Sequence, residues 1–207
     1  EATKVLVNTP IWAIGLDFIH GNKNFETLEF IKNSNKVLIA GVIDGRNIWK
    51  SNFEDKLNLL NKMSNVVSKE NIIVGTSCSL LHVPFTLSYE DNLDKEIKSW
   101  LAFANEKLKE LNLVSKQFFG SKLSLEDIAN IEKNRQDNIQ RKVSTKIHNQ
   151  KIQEEIKNLK KFEREDKFED RIKAQREFFK YDALTTTTIG SFPQTPEIRE
   201  NRKNYKS

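Results

Sequence analysis

With one cysteine, four prolines and seven glycines in 207 residues, the chain is poor in the residues that staple or break a backbone. Cys78 alone excludes an internal disulfide framework and fits a reducing, cytoplasmic compartment. His20, His82 and His148 lack metal-ligand spacing, so no zinc site can be argued from this chain. No apolar run approaches bilayer length, since stretches such as residues 37–43 are far too short; no membrane partner is read. The opening Glu1-Ala2-Thr3 starts mid-stream, without a basic-then-apolar signal segment. Glycine is absent from 121 to 189 and proline from 85 to 192, so helix there goes unpunctuated.

The net charge of +5 raises nucleic acid as a partner, and its distribution argues against one. Residues 161–180 hold seven basic and six acidic side chains, interleaved rather than sorted. Glu163 with Lys167 and Glu169 with Lys173 stand at helical i,i+4 spacing, as on a solvated face. A phosphate-tracking stripe would be depleted of acids.

Three strand-like runs open the chain: residues 11–19, 36–43 and 72–76. The first two read as strands buried on both faces of a parallel sheet. Between them, Phe25, Leu28 and Phe30 or Ile31 make a short helical stripe. Asn52 can cap a helix whose stripe is Phe53, Leu57, Leu60 and Met63. Strand, loop and helix repeated in this way signal βαβ units. Polar residues collect after each strand: Asp17 and His20, then Asp44, Arg46 and Asn47, then Ser77, Ser79 and His82. Three strands cannot close an eight-stranded barrel, so the segment is either part of an open doubly wound sheet or a piece of a barrel. From Asp91 the pattern turns helical. Leu93, Ile97, Trp100, Leu101, Ala104, Leu108 and Leu111 predict one amphipathic helix running toward Gly120. Ser124, with Asp127 three residues on, caps the next, whose face is Ile128, Ile131, Ile139, Val143 and Ile147. Weakly apolar helices follow around 152–159 and 162–179.

Near the C-terminus, Thr185, Thr186, Thr187, Thr188 and Ile189 are five β-branched residues in a row, which favours an extended strand. Gly190 frees the backbone, and Thr195-Pro196-Glu197 reads as a helix N-cap, first-turn proline and dipole-matched acid. Such a strand, polar loop and helix can hold a small anion or carboxylate, or can be an ordinary βα connection.

Residues 186–195 resemble the TTTIGSFPQT signature of cobalamin-independent methionine synthases. Residues 40–49 (AGVIDGRNIW), 77–84 (SCSLLHVP) and 94–104 resemble further blocks of that family, in its order and with roughly its spacings. The resemblance implies an α/β fold. Residues 1–90 would be the last strands of a first (β/α)8 TIM barrel, 91–184 a helical connector, and 185–207 the start of a second, catalytic barrel. It implies methyl transfer from a polyglutamylated methyltetrahydrofolate to homocysteine, giving methionine, with zinc and without cobalamin. In the family, the residues matching Ile189, Gly190 and Ser191 hold the amino-acid moiety of homocysteine or methionine. The zinc ligands and proton donor lie beyond this chain, so no catalytic or metal residue falls within it, and the fragment alone is expected to be inactive. The family usually has proline where Thr185 stands.

Other residues read first as structural. His82 suits a hydrogen-bonded group, Cys78 a buried and inert thiol, and Trp49 and Trp100 core positions. Phe178, Phe179 and Tyr181 suit docking of the connector's end. Asp44 and Arg46 suit pairing that fixes their loop, with a carboxylate clamp by Arg46 as the alternative. The rival to an enzyme fragment is a non-catalytic scaffold that self-associates through open sheet edges.

Overall fold

The computed structural model describes residues 1–187, 190 and 194–206. Two compact units divide the chain, Glu1–Gln150 and Lys151–Ser207.

The first unit is built on a parallel sheet of three strands, β1 (Ala13–Asp17), β2 (Val37–Ile43) and β3 (Ile72–Thr76), in that spatial order. Ile14 lies beside Leu38 and Leu38 beside Ile72, so each strand pairs with its chain neighbour. Helices α1 (Ala2–Leu6) and α2 (Leu28–Lys32) flank the first crossover, and α3 (Phe53–Ser64) forms the second. Asn52 caps α3, its side-chain oxygen accepting from the Glu54 amide. Leu38, Ala40 and Val42 share one face of β2 with no exposure, packed in a core with Leu60, Met63, Val114 and Phe118.

The other face is less covered at its centre. There Gly15 is exposed, Ile39 half-buried and Ile73 40% exposed. The expectation of burial on both faces is thus corrected for β1, where Ile14 is buried and Gly15 is exposed; β3 alternates in the same way, with Ile72 and Val74 buried and Ile73 exposed.

The single helix expected over 93–111 is two. Asp94 caps α4 (Lys95–Ser99), and α5 runs over Ala104–Phe119, closed by Gly120 in the left-handed region at φ +68. Between them Trp100, Leu101, Ala102 and Phe103 are buried; Trp100 still ends the helical turn of α4, and the chain is extended by Phe103. Leu101 bridges antiparallel to Trp49; the Lys50 amide donates to Trp100 O and the Ala102 amide to Ile48 O. The apolar periodicity was real, and tertiary pairing overrode it.

Helix α6 (Leu125–Val143) begins with the expected capping box of Ser124 and Asp127. Its buried face is the opposite of the one expected. Ile128, Ile139 and Val143 are exposed, whereas Asn134, Asp137 and Asn138 are buried and only Ile131 packs against the apolar core. Asn134 explains the inversion: its oxygen accepts from the Phe53 amide while its NH2 donates to Ser51 O. Asn138 adds a second donor to Ser51 O. A polar seam, rather than an apolar one, docks this helix.

In the second unit, α7 (Gln150–Asn158) begins at the junction, and α8 (Phe168–Phe179) and α9 (Pro196–Lys206) follow. Lys151 with Glu155 and Lys161 with Glu165 form its i,i+4 ion pairs. Phe178, Phe179 and Tyr181 are exposed, with Tyr181 stacked on Phe179 at 5.2 Å. No helix of the described residues is long and apolar enough to cross a membrane.

Candidate functional site

Parallel strands bring their C-terminal ends to one edge, and the polar residues named above gather there. Asp17 accepts the amides of Ile19 and His20 at 2.7 and 3.0 Å, turning the chain after β1. Asp44, 8% exposed, does the same after β2: Oδ1 takes the Arg46 amide at 2.8 Å and the Asn47 amide at 3.4 Å, and Oδ2 takes the Asn47 side chain. His20 Nε2 stands 3.6 Å from Asp44 Oδ2. Ser77 ties the ends of β2 and β3, its hydroxyl accepting from the Gly45 amide and its own amide donating to Ile43 O.

Gly45 is required by this closure, because a Cβ there would lie 2.7 Å from Cys78 O. Asp44 accepts three hydrogen bonds from its own loop, which fix the turn after β2, and Oδ2 keeps acceptor capacity on the side of His20. Arg46 does not pair with it; its guanidinium is exposed, which leaves the anion-clamp alternative open at that residue. His82 is exposed rather than locked into the structure, Cys78 is half-buried, and Trp49 is 39% exposed beneath the Arg141 guanidinium. Only Trp100, of the two tryptophans assigned to the core, is there.

Of the expected substrate-holding residues, Ile189 and Ser191 lie outside the described residues. Gly190 has φ +112, a conformation that L side chains rarely adopt, in line with its expected role as the point that frees the backbone. Residues 185–187, the described part of the threonine run, are not in a strand. The helix start beyond is as expected: the Ile198 amide donates to the Thr195 hydroxyl at 3.4 Å, and Pro196 opens α9.

Behind the sheet edge lies a charged cluster that the sequence reading missed. Lys107 is fully buried on α5, with Nζ donating to Trp49 O at 3.1 Å, and burial pushes its pKa down. Glu110, one turn on, accepts from the Ser51 amide at 3.0 Å, and burial pushes its carboxyl up. Asp137 binds Lys50 at 2.6 Å and Lys133 at 3.1 Å. The only sequence signal was the polar triplet Asn134, Asp137 and Asn138 at i, i+3 and i+4, which reads as a solvated face.

The raised Glu110 carboxyl fixes the sign of a pH effect. Above the unfolded pKa of about 4.3, the unfolded chain releases this proton first, so stability falls as pH climbs toward the folded value. Glu110→Gln keeps the acceptor for Ser51 and removes the proton. Its urea midpoint should lose that decline, which parallel unfolding curves on the two proteins would show.

No group of three His, Cys, Asp or Glu side chains among the described residues could hold a metal ion. The profile of the cobalamin-independent synthase N-terminal domain matches residues 1–68, and that of the synthase catalytic domain matches residues 184–207. A 5-methyltetrahydropteroyltriglutamate–homocysteine methyltransferase of Desulforamulus reducens is 46% identical over the whole chain. The chain belongs to the cobalamin-independent synthase family. A chloroplastic methyltransferase of the same name from Arabidopsis thaliana is 39% identical over the whole chain, and one from Listeria monocytogenes 39% over 97% of it. The chain covers 27%, 25% and 26% of these three synthases, about a quarter of their length.

Proposed function

We propose that the polypeptide to which this stretch corresponds transfers a methyl group from 5-methyltetrahydropteroyltri-L-glutamate to L-homocysteine, forming L-methionine. The observation that carries this reading is the pair of matches on one chain, an N-terminal-domain profile at 1–68 and a catalytic-domain profile at 184–207. In this reading residues 1–90 are the last strands of the first barrel, 91–184 the helical connector, and 185–207 the opening of the catalytic barrel.

The sheet supports the barrel rather than the doubly wound alternative. Its strands run in sequential order without a switch point, and the face carrying Gly15, Ile39 and Ile73 is only partly covered. Parallel sheets bury both faces, so this partly covered side fits the interior of a barrel whose other strands are elsewhere. The same open edges are what a self-associating scaffold would use; a stable monomer by sedimentation speaks against that rival.

Ile189, Gly190 and Ser191 would orient the amino-acid moiety of homocysteine through backbone amides and one hydroxyl, without doing chemistry. Zinc, bound by residues outside this chain, would supply the activated thiolate; the residues described here do not fit a zinc site. In the whole enzyme, Ser191→Ala should raise the homocysteine KM roughly tenfold, since a lost hydrogen bond to a charged group is worth about 1.5 kcal/mol or more. Steady-state assays with the folate substrate saturating test this. Unchanged KM would remove Ser191 from the site, and absence of methyl transfer by the intact protein would overturn the reading.

A further inference from the structure

We propose that the cavity framed by α4, α5 and α6 binds a small organic anion with an apolar body, at a site separate from the sheet edge. The cavity measures about 410 Å³, within the range that takes small ligands. Phe53, Leu87, Leu101 and Leu113 supply its apolar wall, each 9% exposed or less.

Charge sets the ligand's sign. Five lysines reach the cavity against two glutamates, and both glutamates are committed inward. Glu106 takes the Thr86 hydroxyl and the amides of Leu87 and Phe103. Glu110 takes the Ser51 amide. Lys50 and Lys133 share Asp137. Lys98 donates to Glu90 O, a neutral acceptor that leaves its charge uncancelled. Lys95 and Lys109 are exposed and have no carboxylate partner among the described residues.

Charge also sets the ligand's direction. Glu110, 5% exposed, has a buried Oε2 without a hydrogen-bond partner among the described residues. That acceptor offers an anion no donor, so the ligand's charged group stays with the uncancelled ammonium groups of Lys95, Lys98 and Lys109 while the apolar body enters between Leu101 and Leu113. Burying such a body against that wall is favourable at about 25 cal/mol per Å², and the ammonium groups supply a salt-sensitive preference for the anion.

The test uses the intact protein and two isosteric probes, 2-naphthoate and neutral 2-naphthamide, titrated against tryptophan fluorescence at low salt. Naphthoate should bind at least tenfold more tightly, and the difference should shrink as salt rises. The double variant Lys95→Glu/Lys109→Glu, at two exposed positions, should abolish the preference while leaving naphthamide binding unchanged. Ser99→Phe, which fills the cavity from α4, should weaken both probes. Equal affinity for the two probes, or a preference that survives both variants, overturns the proposal.

Discussion

Gly41→Ala is expected to destabilise the first unit by about 3 kcal/mol, at the upper end of the overpacking range. Gly41 sits in the central strand, where a Cβ would lie 2.9 Å from Leu16 O, from Thr76 O and from the Ser77 Cα. All three are backbone atoms of both neighbouring strands, so no side chain can swing aside. The methyl group must instead push β1 and β3 away from β2, at the very level where Phe18 N donates to Gly41 O. Against a domain stability of about 5–15 kcal/mol, such a loss should lower the urea midpoint sharply. Gly15→Ala provides the control, since its nearest neighbour is Ile39 Cβ at 4.0 Å and its face is open. A Gly41→Ala midpoint equal to that of the control would contradict the assigned register.

The second large effect is expected at Asp137. Its carboxylate, 6% exposed, is the shared partner of Lys50 and Lys133, and only Lys50 is substantially buried with it. Asp137→Ala leaves the Lys50 ammonium without its counter-charge beneath α6, and breaking a buried pair from one side costs about 3–5 kcal/mol. Lys133 is 63% exposed and contributes little, so Lys133→Ala should change stability by less than about 1 kcal/mol. Removing both buried members, as Lys50→Met/Asp137→Leu, should recover most of the loss, because no isolated charge is then left behind. Thermal or urea unfolding of the four proteins decides the matter; a single variant that loses no more than Lys133→Ala would show that the pair holds nothing together.

Comparing these two positions explains how much of the structure the sequence disclosed. Strands β2 and β3, the cap at Asn52 and the box at Ser124 were legible, because each follows from local chemistry: β-branched runs, and side-chain oxygens placed two or three residues before a free amide. The break at residues 100–103 was not, because Trp100 and Leu101 keep helical spacing and leave the helix only to meet Trp49 and Lys50, far away along the chain. The polarity of α6 was misread for the same reason. Its apolar residues form the better stripe, but Ser51 O and the Phe53 amide need partners, and Asn134 and Asn138 are at the right height to provide them. Near the C-terminus the positive φ of Gly190 is what a glycine permits, whereas the strand expected from the β-branched run is not formed over residues 185–187. The Lys107–Glu110 pair was hidden, because a lysine three residues before a glutamate reads as an ordinary exposed helical pair.

The sequential order of the sheet also bears on how the protein is made. Each strand finds its place on the one synthesised just before it, so a nascent chain leaving the ribosome always offers a completed edge as the template for the next segment. Assembly can then follow translation in direction, without waiting for distant sequence, and the last strand laid down keeps a ready seam for whatever pairs with it.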